Sequence, residues 1–245
     1  MKSRPLVKYL AGLGYGTRRE ATRMLAQGRV TTATGGSVGA EWVHDDLRVN
    51  GEPLDPAPGV VLMLHKPGGY VCSTTDVNPV VYDLLPPRFL RRSPVIAPVG
   101  RLDADTTGLL LLTDDGALNH RITSPRTHLP KVYEATLAAD LRGDEAEAFA
   151  SGTLLLKGEQ APLMPATLEV TGPRRARITL YEGRYHQVRR MFAAVGNRVE
   201  TLHRSALASL VLGDLPPGNW RVLTTGDVAT LRAEIGQRCT EATRR

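Results

Sequence analysis

Four consecutive leucines, Leu109–Leu112, stand between acidic residues on both sides in the segment GRLDADTTGLLLLTDDG. A short, continuous apolar run is typical of a buried strand. Val60–Leu64 has the same pattern and leads into a Lys-Pro-Gly-Gly turn. Lys131–Leu137 is also predicted to be a strand, and Asn50-Gly51 is a hairpin-type turn between two short strands. These patterns predict a fold in which strands supply much of the core.

Helices are predicted before, between and after these strands. Residues 6–27 are expected to form two short helices. The second begins with the capping-box pair Thr17 and Glu20 and ends at Gly28. Further helices are predicted over residues 117–123, 144–150, 187–195 and 227–235.

A Pro/Gly-rich break, Asp55–Gly59, divides this pattern into two parts. We therefore predict a small N-terminal domain over residues 1–58 and a larger domain over residues 59–236. The last residues, 237–245, are predicted to be a mobile tail.

The composition is that of a globular protein, with 42% hydrophobic and 23% charged residues in a chain of 245. No apolar run approaches the ~20 residues of a membrane span, and the basic N-terminus lacks the apolar segment of a signal peptide. Cys72 and Cys239 lie far apart and outside any CxxC pattern, which argues against a disulfide scaffold or a zinc ribbon. We expect a cytoplasmic protein without a membrane segment.

The positive charge is concentrated in two places, although the formal net charge is only +6. Residues 1–30 hold seven Lys or Arg against one acidic residue, and residues 171–204 hold eight Arg against two Glu. Two basic clusters on a neutral body favour a polyanionic partner that touches both, although solvated surface arginines are an alternative. In the first cluster, Arg18, Arg19 and Arg23 are predicted to contact phosphate groups.

Several kinds of site can be set aside. The spacing of Asp103, Asp105 and Asp114 imitates a calcium loop, but its last position lacks the bidentate Glu, and the residues between are strand-like. The chain has no GxGxxG, GxxxxGK[ST], GxSxG or HExxH motif, and its six histidines show no ligand spacing. We expect no metal site.

An Asp–Arg pair is the best candidate for chemistry. The helix predicted around EGRYHQVRRMF carries two adjacent arginines, so that Arg189 can point inward while Arg190 points outward. An inward Arg189 would keep a half-buried Asp103 ionised, although a purely structural pair would have the same sequence pattern. The turn after Val60–Leu64 could present Lys66 and Tyr70 to a ligand.

The segment GRLDADTTGLLLLTDDG resembles the signature of RsuA-type ribosomal RNA pseudouridine synthases. MLHKPGGYVCST, HRITSPRTHLPKVYEA and EGRYHQVRRMFAAVGNRVETLHR resemble the other motifs of this family, in the same order. The N-terminal part is similar to the small RNA-binding domain named after a small-subunit ribosomal protein (S-four-like). The resemblance implies an α+β fold in which this small domain precedes a catalytic domain with a mixed, mainly antiparallel sheet and flanking helices.

The resemblance also implies roles for single residues. Asp103 corresponds to the catalytic aspartate, Tyr133 to the active-site tyrosine that stacks on the target base, and Arg189 to the basic residue that pairs with the aspartate. Leu202 corresponds to the apolar lining of the uracil pocket, and Arg101 is expected to position the flipped nucleotide. The other residues expected to contact substrate or RNA are Lys66, Tyr70, Arg184, His186 and Arg190, together with Arg18, Arg19 and Arg23.

Within the family, Tyr185-His186-Gln187 and Leu202-His203-Arg204 are similar to the branch that modifies one uridine of small-subunit 16S rRNA. The implied reaction converts uridine to pseudouridine without a cofactor, and the carboxylate either attacks covalently or helps a proton leave the sugar. The implied partner of a monomeric enzyme is ribosomal RNA within a small-subunit assembly intermediate. Val7 and TTATGG depart from the family pattern in the N-terminal part and affect RNA docking rather than chemistry.

Three alternatives remain at this point. The same chemistry could act on a large-subunit 23S rRNA uridine. The protein could instead be an RNA-binding assembly factor with an inactive site. A glycoside hydrolase would use Asp103 with Asp114 or Asp115 as a carboxylate pair, but it would leave the basic clusters unexplained.

Overall fold

The computed structural model of the protein describes the backbone of residues 5–243 and the side chains of residues 5–238. Its α-helices are α1 Leu6–Gly12, α2 Arg18–Ala26, α3 Gly116–Thr123, α4 Glu145–Ala150, α5 Gln187–Ala194 and α6 Thr225–Thr243. Its strands are β1 Val30–Thr32, β2 Leu47–Val49, β3 Glu52–Pro53, β4 Val61–Lys66, β5 Ala97–Pro98, β6 Thr107–Thr113, β7 Lys131–Leu137, β8 Thr167–Gly172, β9 Arg175–Leu180, β10 Val199–Leu207, β11 Leu210–Val211 and β12 Trp220–Val222.

Two separate sheets organise these strands. The first contains β1, β2 and β3 in that order. The second has nine strands, with a main path β12-β4-β6-β10-β7-β9-β8, while β5 pairs with β6 and β11 pairs with β10. β6 and β10 run parallel, and the other pairs of this sheet are antiparallel. The predicted α+β fold with a mixed, mainly antiparallel sheet is therefore confirmed.

The leucine run of β6 is buried because the sheet is covered on both faces at this strand. Leu109 and Leu111 pack in a cluster that includes residues of α3 and α6. Leu110 and Leu112 point to the opposite face and pack in a cluster with residues from the segment 80–102. Since neighbouring side chains of a strand alternate between faces, a strand needs consecutive apolar residues only when both faces are covered.

Gly108 allows β6 and β10 to approach each other. Its φ of +108° lies in the region that favours glycine, and a Cβ atom here would collide with the backbone of Arg204 on β10. The glycine of the sequence GLLLL is therefore required by the parallel pairing of these two strands. This pairing brings Arg204 of β10 next to the loop that precedes β6.

The N-terminal part forms its own small core. Thr17 and Glu20 make both hydrogen bonds of a capping box at the start of α2, and Gly28 has a φ of +65° just after the helix. Met24 on the buried face of α2 packs in a cluster with residues of α1, β1 and β2. The side chains of Arg18, Arg19 and Arg23 are exposed. The predicted helix pair with a small sheet is therefore present, and its arginines face solvent.

A short 3-10 helix, Pro87–Arg91, joins this N-terminal part to the large sheet. The Arg88 guanidinium makes two 2.8 Å hydrogen bonds to the carboxylate of Asp55 and lies 5.0 Å from the ring centre of Tyr15. A Cβ atom on Gly14 would lie 2.5 Å from the carbonyl oxygen of Arg88. Through these contacts of Arg88, the basic loop LPPRFLRRSP therefore packs against the N-terminal part.

The last helix is longer than predicted. The sequence predicts a helix over 227–235 and a tail from residue 237, but α6 continues through Gly236 to Thr243. The predicted tail is thus helical up to Thr243, and residues 244–245 lie outside the described residues. None of the helices described here combines the length and the apolar character that crossing a membrane requires.

Candidate active site

A cleft of about 390 Å³ opens beside the loop that connects β5 to β6. Its walls come from this loop, from β7 and β10 of the sheet, and from the turn that precedes α5. Six of the residues that the sequence assigns to the site line it: Arg101, Asp103, Tyr133, Arg184, His186 and Leu202. The structure therefore gathers the catalytic candidate Asp103 with most of its expected neighbours.

Asp103 lies on a tight turn at the mouth of this cleft. The N–H of Thr106 donates a 3.0 Å hydrogen bond to the carbonyl oxygen of Asp103, which closes the turn. The Asp103 side chain is 28% exposed, so that one part of the carboxylate faces the cleft while the rest is held against protein. A half-buried carboxylate in a cleft is the geometry that the predicted role of Asp103 requires.

Lys66 holds this turn from below and does not reach the cleft. Its side chain is fully buried, and its ammonium group donates hydrogen bonds to the carbonyl oxygens of Pro67, Ala104 and Thr106 at 3.0, 3.0 and 2.8 Å. Burial lowers the pKa of Lys66, while the nearby Asp105 and Asp103 act in the opposite direction. The prediction that Lys66 contacts substrate is therefore wrong, because β4 extends to this residue and turns its side chain inward.

Tyr133 and Leu202 form the opposite wall of the cleft. Tyr133 lies in the middle of β7, opposite Arg204 of β10, and Leu202 lies two residues earlier on β10. Residues two apart on a strand point to the same face, so that Tyr133, Leu202 and Arg204 share the face that carries the cleft. An aromatic ring and a buried leucine make this wall apolar and flat.

The partner of Asp103 is a histidine. Nε2 of His186 lies 3.2 Å from Oδ1 of Asp103. Arg189 was predicted to pair with Asp103. Instead, its Nη2 lies 2.8 Å from Oδ2 of Asp105, an ion pair whose geometry is not that of a hydrogen bond. Nη1 of Arg189 donates a hydrogen bond to the carbonyl oxygen of Val199. The predicted Asp103–Arg189 pair is therefore wrong, because the turn directs Asp103 and Asp105 to different neighbours.

Arg184 and Arg190 are held by protein groups. Both form ion pairs with Glu159, at 3.1 and 2.8 Å, and Arg184 also pairs with Glu182 at 3.0 Å. Arg184 lines the cleft, whereas Arg190 donates to the carbonyl oxygens of Tyr185 and Lys157. Their charges are therefore largely compensated and they brace the turn before α5, while their predicted contacts with substrate or RNA stay predictions.

Tyr70 also lies off the cleft wall. Its partly buried ring packs against the apolar cluster that contains Leu102 and Leu110. Tyr70 therefore packs near Leu102 of the loop that carries Asp103, and its predicted contact with substrate stays a prediction. The glycine turn before it is tied to the same loop, since the N–H of Gly69 donates to the carbonyl oxygen of Ala104 at 2.8 Å.

The acidic residues after the leucine run have structural tasks at the far end of β6. Asp114 forms a buried ion pair with Arg92 at 2.8 Å and accepts a hydrogen bond from the N–H of Gly59. Asp115 caps α3 and pairs with Arg232 at 2.6 Å. A strand of this length separates them from Asp103 by roughly 20 Å. This separation contradicts both the calcium loop and the glycoside hydrolase, whose carboxylates must meet at one site.

Sequence reasoning missed two cationic residues of the cleft, Lys131 and Arg204. The pKa of Lys131 is lowered from 10.5 to about 8, mainly by burial and also by the nearby charge of Arg204, against the opposing effect of Glu182. Arg204 is buried and donates from Nε to the carbonyl oxygen of Leu109, but its buried Nη2 has no hydrogen-bond partner among the described residues.

A signal in the sequence could have found one of these two residues. Lys131 stands two residues before Tyr133 on the same strand, so the period of two places both on one face. Arg204 could not be found in this way, since its position depends on the pairing between β10 and β7. The described residues contain no cluster of His, Cys, Asp and Glu suited to a metal ion.

The cleft thus combines a carboxylate, an aromatic wall and a cationic floor, an arrangement compatible with a single nucleobase taken out of its stack. A model of the RNA pseudouridylate synthase family matches residues 60–194. The chain belongs to this family, which confirms the family resemblance and the enzyme class expected from the sequence.

Relatives match over most of their length. The ribosomal small subunit pseudouridine synthase A of Yersinia pestis is 48% identical over 78% of this chain and 80% of its own. The protein of the same name from Pasteurella multocida (strain Pm70) is 43% identical over 92% of this chain and 98% of its own. A solved structure described as a crystal structure of pseudouridylate synthase is 39% identical to this chain and has a TM-score of 0.67. The match covers 94% of this chain and 100% of that chain.

Proposed function

We propose that the protein converts one uridine of small-subunit (16S) ribosomal RNA to pseudouridine, with Asp103 as the reacting carboxylate. The observation that carries this proposal is the position of Asp103 in a cleft walled by Tyr133 and Leu202, with His186 against the carboxylate. The names of the relatives from Yersinia pestis and Pasteurella multocida support the small subunit as the source of the substrate, over the large-subunit alternative.

The reaction requires that the uracil be detached and turned over in place. The bond between N1 of the base and C1′ of the ribose breaks, a new bond forms between C5 and C1′, the proton on C5 leaves, and N1 gains a proton. Nothing is oxidised or reduced. A carboxylate can serve as the nucleophile that keeps one fragment bound or as the base that accepts a proton, and the position of Asp103 suits either role.

The cleft walls provide what a detached base needs. The ring of Tyr133 offers a face that replaces the stacking lost when the uridine leaves its helix, and Leu202 closes the apolar side. Arg101 is exposed at the mouth and carries a charge for the flipped nucleotide's backbone. Lys131 and Arg204 supply positive charge on the floor, where the carbonyl oxygens of uracil are suitable acceptors.

The N-terminal part is proposed to act as an RNA-binding domain over residues 1–58 that holds the RNA backbone at a distance from the cleft. The exposed side chains of Arg18, Arg19 and Arg23 support this, because none of them forms an ion pair within the part of the chain that the structure describes. We further propose that a monomer acts in the cytoplasm on an assembling small subunit. Comparison of naked rRNA and assembly intermediates as substrates tests that refinement.

The test of the main proposal is a mass-spectrometric map of pseudouridine in ribosomal RNA from cells that lack the protein. One 16S position should lose its modification, and expression of the wild-type protein should restore it. Asp103→Asn should bind RNA without restoring it. Asp105→Asn is the matched control, since it removes a carboxylate from the same turn and should retain activity. A missing 23S position, or restoration by Asp103→Asn, would overturn the assignment.

A further inference from the structure

The turn before α5 exposes an aromatic side chain directly beside the cleft. Tyr185 is 77% exposed, and its ring stacks on the imidazole of His186 with a centroid distance of 3.9 Å and an angle of 17°. The same imidazole contacts the Asp103 carboxylate at 3.2 Å. Asp103, His186 and Tyr185 therefore form a continuous series of contacts that leads from the reacting group to the solvent.

The backbone around Tyr185 is braced. Arg190 donates a 3.1 Å hydrogen bond to the Tyr185 carbonyl oxygen, and this arginine is itself fixed by Glu159. The side-chain oxygen of Gln187 accepts from the N–H of Arg184, which closes the turn on its other side. The Tyr185 ring is therefore exposed to water on a fixed backbone, although burial of its apolar surface against the protein would be favourable.

His186 adopts a left-handed backbone conformation, with φ of +49° and ψ of +34°. A non-glycine residue in this region costs free energy, and such residues are concentrated at functional sites. This conformation turns the imidazole toward Asp103 while Tyr185 stands outside it. The left-handed conformation of His186 therefore goes together with the contact between His186 and Asp103 and with the exposure of the Tyr185 ring.

We propose that the outer face of Tyr185 is a stacking platform for an unpaired RNA base that flanks the target uridine. This inference rests on the proposed function, because it extends the same site by one nucleotide. Its inner face is occupied by His186, and with Tyr185 77% exposed its outer face is open as far as the described residues are concerned. Single-stranded RNA is recognised by stacking its bases on aromatic rings, and the exposed cation of Arg101 at the same cleft suits the phosphate between the two nucleotides.

The experiment uses the full-length protein, a 16S rRNA transcript, and transcripts in which each nucleotide flanking the modified uridine is replaced in turn by an abasic residue. Tyr185→Ala should raise KM on the intact transcript about five- to 150-fold, the range given by loss of one stacked base, with little change in kcat. Tyr185→Phe should behave as the wild type, because it keeps the flat ring. Tyr185→Leu, which is apolar but not flat, should behave as Tyr185→Ala.

One abasic transcript should abolish the difference between the wild type and Tyr185→Ala, since the stacking partner is then missing. Unchanged KM for Tyr185→Ala on the intact transcript would overturn the platform. So would a defect that persists on every abasic transcript, which would assign Tyr185 to holding His186 or to another partner. If the wild-type protein makes no pseudouridine at all, the proposed function fails, and equilibrium binding of the same transcripts by the same variants still tests the platform.

Discussion

His186 and Asp103 contact each other through Nε2 and Oδ1 at 3.2 Å, and the arginine of the following helix turn is directed to Asp105 instead. The group that faces the Asp103 carboxylate is therefore an imidazole and not a guanidinium.

This arrangement predicts unequal effects of two substitutions. His186→Gln should lower the single-turnover rate of pseudouridine formation about ten-fold, a barrier change of about 1.4 kcal/mol, because it removes the imidazole that lies 3.2 Å from the Asp103 carboxylate. Arg189→Gln should have a smaller effect on that rate, because Arg189 contacts Asp105 and the carbonyl oxygen of Val199. A larger loss in Arg189→Gln than in His186→Gln would show that the arginine, and not the histidine, serves Asp103 when RNA is bound.

Lys66 is expected to stabilise the turn that carries Asp103. Lys66→Met removes the donor for three carbonyl oxygens, two of them on this turn, and should lower the free energy of unfolding by roughly 2–4 kcal/mol. Chemical denaturation measures this change. Lys157→Met is the control, because the Lys157 side chain is exposed, and it should be close to neutral. A Lys66→Met protein as stable and active as the wild type would contradict the role assigned to the ammonium group.

The buried pair of Arg92 and Asp114 ties the end of β6 to the loop that contacts the N-terminal part. Their side chains are only 1% and 2% exposed, so removal of one partner leaves the other without compensation. Arg92→Met alone should cost about 3–5 kcal/mol of unfolding free energy. In a double-mutant cycle with Asp114→Ala, the double variant should be more stable than the sum of the single effects predicts. The exposed pair Arg142–Asp144 should show coupling below about 1 kcal/mol in the same measurement.

The arginines of α2 are expected to bind RNA through its phosphates. Replacement of Arg18, Arg19 and Arg23 by Ala should weaken RNA binding and reduce the slope of log affinity against log salt by about two to three. The control replaces Arg142, Arg174 and Arg198, which are also exposed but are each paired with an acidic side chain. If the first triple variant bound rRNA with unchanged affinity and salt slope, the N-terminal part would not be an RNA-binding domain of this kind.

The sequence predicted the elements better than the contacts between them. Lys131–Leu137 was predicted with the bounds of β7, because the strand-forming character of these residues is local information. The partner of Asp103 was not, since Asp103 and Asp105 stand two residues apart and only the turn decides which neighbour each one meets. The same limit applies to Arg190, whose partner Glu159 lies 31 residues away.

Lys131 provides a prediction about pH. Its pKa is about 8 in the folded protein and 10.5 in a chain without the burial, so between these values the unfolded state holds a proton that the folded state has lost. The unfolded state then binds more protons, and stability rises with pH. Below pH 8, the buried ammonium charge of Lys131 destabilises the folded protein. This destabilisation decreases as the pH rises toward 10.5, because the folded protein then holds Lys131 uncharged.

Lys131→Met removes this titration. Between about pH 7.5 and pH 9.5, the unfolding free energy of the wild type should therefore rise by about 2 kcal/mol relative to that of Lys131→Met. Urea denaturation at each pH measures the difference, and Lys157→Met, with its exposed side chain, should run parallel to the wild type. RNA phosphates near the cleft should raise the pKa of Lys131 again, so the difference should shrink in the presence of bound RNA. Parallel curves for the wild type and Lys131→Met would show that the ammonium group is not desolvated on the floor of the cleft.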